Sequence, residues 1–343
     1  MQGTIAGSVC AIALRRIGAD VTVYETYPDP AASVGGFISL ATNGLRALDA
    51  AGCLDAIQAY GIDVPLQRLW SSGGRLLGEN PRGRKSDDLI HSITIRRADL
   101  MTALRTAAQQ AGAQIVTDER VVDATDTGNH LRITLDNGNT VDSDLLVGAD
   151  GIWSTIRTVL DTDAPSPDYS GIFTVFGTST TPTPPGTFNM TMGRGGAFLH
   201  LAAGGETWWA AQVIDPTPDL EAVDVAMLRD RYRHEPQALA VLTNVTTMQP
   251  PTRDHVLAPV LTWRGDRIVF VGDAALAAYE DARRPRITRM LKAGHDNRAR
   301  KKAAGVLRRR ATDAVMSFGL KHFYEKATGW LYTYDVGELP VRV

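Results

Sequence analysis

The sequence predicts an α/β protein. A parallel, nucleotide-binding layer carries an inserted, mostly antiparallel sheet and ends in a basic helical segment. Three observations lead there. The chain opens on a helix–turn–strand unit, and its middle third alternates like an antiparallel sheet. Short apolar strand runs ending in Gly-Ala-Asp-Gly and Gly-Asp stand on either side of that middle third.

Ile5, Ala6, Val9, Ala13, Leu14 and Ile17 recur at helical spacing, and Gly18 stands where a helix stop belongs. Val21-Thr22-Val23-Tyr24 follows as a β-branched strand ending in Glu25. This is the second half of a βαβ unit, with Met1 where the phosphate loop would begin. Gln2 to Gly7 has the position of a dinucleotide loop, whose glycines let the backbone approach a pyrophosphate at a helix N-terminus. Only Gly7, at the third position, matches; Gln2 and Thr4 fill the first two. Glu25 lies at the strand end, about 20 residues on, where a carboxylate accepts the ribose hydroxyls of an adenosine. The plain alternative for Glu25 is a solvated strand-end acid.

A helix is expected around Asn43 to Ala51, with Leu45, Leu48 and Ala51 on one face. Ser71–Gly74 and Pro81–Arg84 bracket a hairpin excursion. Ala98 to Ala111 reads as a second helix, opened by Arg97 and Asp99. Ile115-Val116, Val121-Val122 and Leu131–Leu135 read as short strands, with Asp136-Asn137-Gly138 as a hairpin turn. Asp144 to Val147 is a buried strand running into Gly148-Ala149-Asp150-Gly151.

From Pro165 to about Leu261, Thr, Gly, Pro and aromatics dominate, and Thr187–Met192 alternates as in an antiparallel sheet. Phe198 and His200 fall on one face, Leu199 and Leu201 on the other, and Trp208 and Trp209 put one indole on each. Phe198, His200 and Trp209 are the pocket candidates, with an ordinary sheet histidine as the plain reading of His200. Arg267–Val271 restores the parallel-strand character before Gly272-Asp273, and Leu276 to Lys326 reads as mostly helical. Twelve Lys/Arg stand against Asp296 alone between Arg283 and Arg310, the pattern of a solvated helix face.

At 343 residues the chain exceeds what one compact core usually holds, so two domains are expected. The composition, 44% hydrophobic and 22% charged, is that of an ordinary soluble protein. A formal net charge of -2 argues against a surface built for nucleic acid. Cys10 and Cys53 cannot form a disulfide framework, and the seven histidines lack metal-ligand spacing. No apolar run reaches membrane-spanning length. Gly3–Leu14 resembles an export signal core, but Arg15-Arg16 follow it rather than precede it, so a cytoplasmic protein is expected.

Four motifs then share one order: the opening unit, Arg96-Arg97-Ala98-Asp99-Leu100, Leu145–Gly151 followed by Ser154 and Arg157, and Trp263–Ala275. Together they resemble the class A FAD-dependent monooxygenases, the para-hydroxybenzoate hydroxylase-like family. The resemblance implies a Rossmann-like FAD-binding domain over 1–72, 91–164 and 262–343, and a substrate-binding sheet over 73–90 and 165–261. It implies FAD as cofactor, NAD(P)H as reductant, and oxygenation of a small aromatic or polyketide-like substrate. From the charge and the absence of a long apolar run, no nucleic-acid partner and no membrane span are expected. Thr4, Gly7, Glu25, Arg97, Asp150, Gly151, Gly272 and Asp273 would hold the cofactor. Within that set Glu25 takes the adenosine ribose, Arg97 the pyrophosphate and ribityl, and Asp273 the ribityl region. Asp150-Gly151 supports FAD and the passage of NAD(P)H. No catalytic acid or base is implied.

Two departures accompany the resemblance. The first strand of the FAD domain is absent, and Gly272–Ala275 runs straight into Leu276, where the family has a loop and helix of about 30 residues. The expectation is weak flavin binding with one wall of the ring exposed. An alternative is a homologue that kept the scaffold and lost flavin redox chemistry: a binding protein, a cofactor-free catalyst or a degenerate form. A nicotinamide dehydrogenase built on the opening unit leaves Asp150-Gly151 and Gly272-Asp273 unexplained.

Overall fold

A computed structural model describes residues 5–27, 36–258, 260, 262–272 and 306–332. Thr4, Asp273, the expected helix start at Leu276 and the basic stretch as far as residue 305 lie outside the described residues.

Helix α1 (Ile5–Arg16) ends at Gly18, whose φ of 84° turns the chain into β1 (Thr22–Glu25). Next come β2 (Phe37–Leu40), α2 (Thr42–Ala50), α3 (Leu54–Gln58) and β3 (Ile62–Asp63). Strands β4 (Leu66–Ser71) and β5 (Leu76–Pro81) form a hairpin. Ser71–Gly74 closes this hairpin rather than bracketing it, with the Gly74 amide donating to the Ser71 carbonyl at 3.1 Å. Strand β6 (Ile93–Arg96) runs into α4 (Arg97–Gln110), which leads to β7 (Gln114–Thr117). A meander of β8 (Val121–Asp126), β9 (Leu131–Leu135) and β10 (Thr140–Ser143) precedes β11 (Leu146–Gly148) and α5 (Thr155–Leu160).

The middle region supplies β12 (Asp168–Ser179), β13 (Thr187–Met192), β14 (Gly196–Ala203) and β15 (Glu206–Ile214). Helices α6 (Val225–Arg231) and α7 (Pro236–Thr243) follow, then β16 (Val245–Met248) and β17 (Thr252–Val256). Strand β18 (Ile268–Phe270) and helix α8 (Val306–Thr328) complete the described chain.

These strands make one large sheet and several small ones. The eight-stranded sheet has the order β16-β12-β15-β14-β13-β4-β5, with β17 also on β12. Strand β4 therefore belongs to a sheet that the expected division at residue 73 begins later in the chain. Alternation puts Phe173, Val175, Phe198, Trp209 and Val213 on one face, where α6 and α7 cover them. The parallel layer is in two pieces among the described residues: β1 pairs with β7, and β11 with β18. Helices α1 and α4 pack Ala11, Ile12, Leu100 and Leu104 over the first piece. Leu131, Ile133 and Leu135 of the meander pack with Leu146, Ile268 and Phe270 of the second. Among the described residues, no helix is long and apolar enough to cross a membrane, and no group of three His, Cys, Asp or Glu could hold a metal ion.

Candidate functional site

Glu25 is not a solvated strand-end acid. It is 1% exposed, and among the described residues neither carboxylate oxygen has a hydrogen-bond partner. Burial pushes its pKa up to about 7; Arg105, with Nη2 3.6 Å away, and the Thr26 amide draw it down without closing a bond. A buried carboxylate left without donors is costly, so the position is suited to a ligand that brings hydroxyl donors.

The Asp150-Gly151 turn follows the carboxyl end of β11, and Gly272 that of β18. Asp150 accepts from Ser154 Oγ at 2.6 Å and from the Ile156 amide at 3.2 Å, and Ser154 in turn caps α5 by accepting from the Arg157 amide. Gly151 supports this turn with a φ of 78°. Gly272 has a φ of 64°, and a Cβ there would come within 2.7 Å of Ala6 Cβ. Glycine is thus what lets the end of β18 meet the first turn of α1, which carries Gly7. A small hollow of about 100 Å³ opens between Thr26 and Asp150, at the carboxyl ends of β1 and β11. Ligands of open α/β sheets bind at such ends.

Arg97 begins α4, exposed, with its amide donating to the Gly36 carbonyl at 2.9 Å. Eight residues of helix separate it from Arg105, or about 12 Å. Glu25, beside Arg105, is thus approached from a point about two helical turns along α4 from Arg97.

Beside Arg97 lies a cleft of about 400 Å³ between the layers, lined by Phe37, Arg96, Asp99, Phe176, Thr178 and Trp208 among others. Phe37 packs against Phe176 edge-on at 5.6 Å and stacks on Trp208 at 6.1 Å. The Arg96 guanidinium lies 4.9 Å over the Trp208 ring. Gly36 is required here, because any Cβ would overlap the Phe176 ring. Aromatic faces beside a cation suit a flat, electron-rich ligand.

The pocket expectation for Phe198, His200 and Trp209 is corrected by the sheet's orientation. Phe198 and Trp209 are fully buried, stacked at 6.0 Å, and lie on the face closed by α6 and α7. His200 is 7% exposed beside them; burial lowers its pKa to about 4, so it is neutral. The cleft takes the indole of the opposite face, Trp208. Alternation separated the two tryptophans, but only the covering helices decide which face is open. Phe37, Arg96 and Arg105 were not singled out; Phe37 directly after Gly35-Gly36 was the available sequence cue for the first.

A family described as the FAD binding domain matches residues 3–279. Kynurenine 3-monooxygenase of Salinispora arenicola is 28% identical over 306 residues, covering 80% of this chain and 66% of the relative. Zeaxanthin epoxidase of Spinacia oleracea is 33% identical over 177 residues, covering 46% of this chain and 25% of the relative. Aurachin C monooxygenase/isomerase of Stigmatella aurantiaca is 29% identical, covering 80% and 72% respectively. The chain thus spans just under two thirds of the first relative and a quarter of the second. Among solved structures, Klebsiella pneumoniae HpxO complexed with FAD and uric acid aligns with a TM-score of 0.69 at 17% identity, over 96% of this chain and 90% of that one. At that identity the likeness speaks for the fold: a Rossmann-like FAD-binding domain with a substrate sheet. The chain belongs to the FAD-binding domain family, that of the class A FAD-dependent monooxygenases.

Proposed function

We propose that the protein is an FAD-dependent, NAD(P)H-using monooxygenase that oxygenates a small aromatic or polyketide-like molecule. The observation that carries this reading is Glu25: a buried carboxylate whose oxygens have no hydrogen-bond partner among the described residues, at the strand end where an adenosine ribose would supply donors. The family match and the aromatic cleft at the start of α4 support it.

In this reading Gly7, with Thr4, lets the ligand's phosphates approach the start of α1, and Arg97 takes negative charge at the start of α4. Gly272 keeps the β18 turn close to α1, and Asp273, outside the described residues, takes the ribityl. Asp150 and Gly151 act by shape: both Asp150 oxygens are committed to the α5 cap, which fixes the turn bordering the hollow. Phe37, Trp208 and Arg96 orient the flat substrate or ring and exclude water. When bound, FAD supplies hydride acceptance and oxygen activation. The division into 1–72, 91–164 and 262–343 against 73–90 and 165–261 stands as the working domain scheme, the hairpin β4–β5 being shared between its parts.

Purified protein should be yellow, or turn yellow with added FAD, and should consume NAD(P)H faster when an aromatic substrate is present. Colourless protein with no quenching of flavin fluorescence on titration would remove this reading and leave the scaffold without redox chemistry.

A further inference from the structure

The cleft beside Arg97 has two unlike walls. One is the start of α4 together with β2, which brings Phe37, Arg96 and Asp99. The other is the open face of the large sheet, where Glu206 and Trp208 of β15 stand beside Phe176 and Thr178 of β12. Glu206 and Trp208 share that face because they are two residues apart on one strand, about 7 Å along it.

The hairpin turn fixes Glu206 at the first position of β15. Gly204 and Gly205 make that turn with φ of 58° and 85°, conformations that favour glycine, and they carry no side chain to shield the carboxylate. Glu206 is half-buried. Its neighbours on the sheet are already engaged: the Thr178 hydroxyl is hydrogen-bonded to those of Thr246 and Thr247, at 2.6 and 2.8 Å. The Arg96 guanidinium is exposed and lies over the Trp208 ring, whose face takes up its charge. Although Arg96 and Glu206 line the same cleft, among the described residues no ion pair joins Glu206 to it or to any other cation.

A half-buried carboxylate beside an aromatic wall, with no cation of its own, offers a charged acceptor to a ligand. The charge of the described lining agrees, with Asp99 and Glu206 against Arg96. Of the two acids, Asp99 stands in the first turn of α4, where free amides and the helix dipole offset its charge. Glu206 has no such compensation. An anionic substituent, by contrast, would meet two carboxylates and a guanidinium whose charge already faces an indole.

We propose that Glu206 sets the substrate class of the cleft: it accepts a hydrogen bond from a protonated amine on a short arm of an aromatic ring that packs against Trp208. The spacing sets the length of the arm, since a ring edge and a two-carbon chain span the roughly 7 Å from the indole to the carboxylate. This inference rests on reading the cleft as the substrate site.

The test compares three ligands that share one ring: tryptamine, 3-methylindole and indole-3-propionate, which are cationic, neutral and anionic at neutral pH. Calorimetry on the full chain, as purified and again with FAD added, reads binding without turnover, so failure here is separate from failure of the FAD reading. Tryptamine should bind roughly tenfold more tightly than indole-3-propionate, with 3-methylindole between them. Glu206→Gln should bring tryptamine to the level of 3-methylindole, and Glu206→Asp should restore part of the difference. Both variants should melt like wild type, because the residue lies at the end of a hairpin. Asp99→Asn should change the preference by about twofold or less. Trp208→Leu should weaken all three ligands, which ties their binding to this cleft. Equal affinity for tryptamine and indole-3-propionate, no binding of tryptamine, or a preference that survives Glu206→Gln would overturn the proposal.

Discussion

Strand β14 has a hydrogen-bonded neighbour along each edge and apolar cover on both faces; β1 has the cover but, among the described residues, a neighbour on one edge only. In the large sheet, each strand from β12 to β4 repeats the β14 arrangement, and the polar atoms left over are few and local. In the parallel layer, the described residues leave both Glu25 oxygens and Arg105 Nη2 without a hydrogen-bond partner. Stability and ligand chemistry are thus placed in different parts of one chain. Among the described residues, the large sheet leaves single atoms of Asn189, Thr191 and His200 without a partner, whereas at Glu25 both oxygens of one carboxylate are left so.

Substitutions at the two adjacent indoles test this contrast most strongly. Trp209→Ala removes a fully buried ring beneath α6 and α7 and should cost about 3–5 kcal/mol in denaturant unfolding. Trp208→Ala should cost clearly less, yet it should alter flavin or substrate affinity, because that indole lines the cleft. Equal losses of stability with unchanged binding would erase the distinction between the faces.

Gly36→Ala places a methyl group against Phe176, at the seam between the layers. Overpacking of this kind should cost about 3 kcal/mol. It should also weaken flavin retention, measured by fluorescence after gel filtration. Retention equal to wild type would show that the seam does not shape the site.

Glu25 gives a pH dependence with a definite sign. Its carboxyl ionises near the ordinary value of 4.5 when unfolded and at about 7 when folded. Between those values the folded state binds more protons, so stability is highest below pH 4.5 and is lost as pH rises through 7. At 1.36 kcal/mol per pKa unit, the loss is about 3 kcal/mol. Glu25→Gln should flatten this part of the melting-temperature profile while weakening FAD binding. A variant that loses the slope but binds FAD like wild type would detach Glu25 from the ribose.

Tyr324→Phe should have the smallest effect of the set. It removes one hydrogen bond to the Pro81 carbonyl, 3.0 Å long, and should cost about 1 kcal/mol.

Much of the fold was legible in local patterns. The apolar spacing of Ile5 to Ile17 and the glycine after it mark α1, and Asp136-Asn137-Gly138 marks the β9–β10 turn, where Gly138 has a φ of 85°. What stayed hidden depends on contacts distant in sequence. Phe198 and Leu199 alternate whichever face is open, and the decision rests with helices more than twenty residues further along. Likewise, Glu25 reads as a strand-end acid at the right spacing, but its burial comes from packing that no local window contains. Asp150 looked like a ligand contact; its hydrogen bonds show a carboxylate occupied with starting α5.

The last described helix reaches further than its position in the chain suggests. Leu320 of α8 packs on Gly78, Glu325 accepts from Ser86, and Tyr324 donates to Pro81, so α8 clamps the segment after β5. That segment carries Arg82, whose guanidinium lies 3.3 Å from the Phe188 ring centroid and donates to Ser39 on β2 at 2.6 Å. Strand β2 also carries Phe37, at the mouth of the cleft. The carboxyl-terminal helix is thereby a mechanical linkage to the aromatic wall. Shortening the chain before α8 would reach the cleft without removing a residue that lines it, and kinetic damage from such a truncation would reflect slack in the wall, with every cofactor contact still encoded.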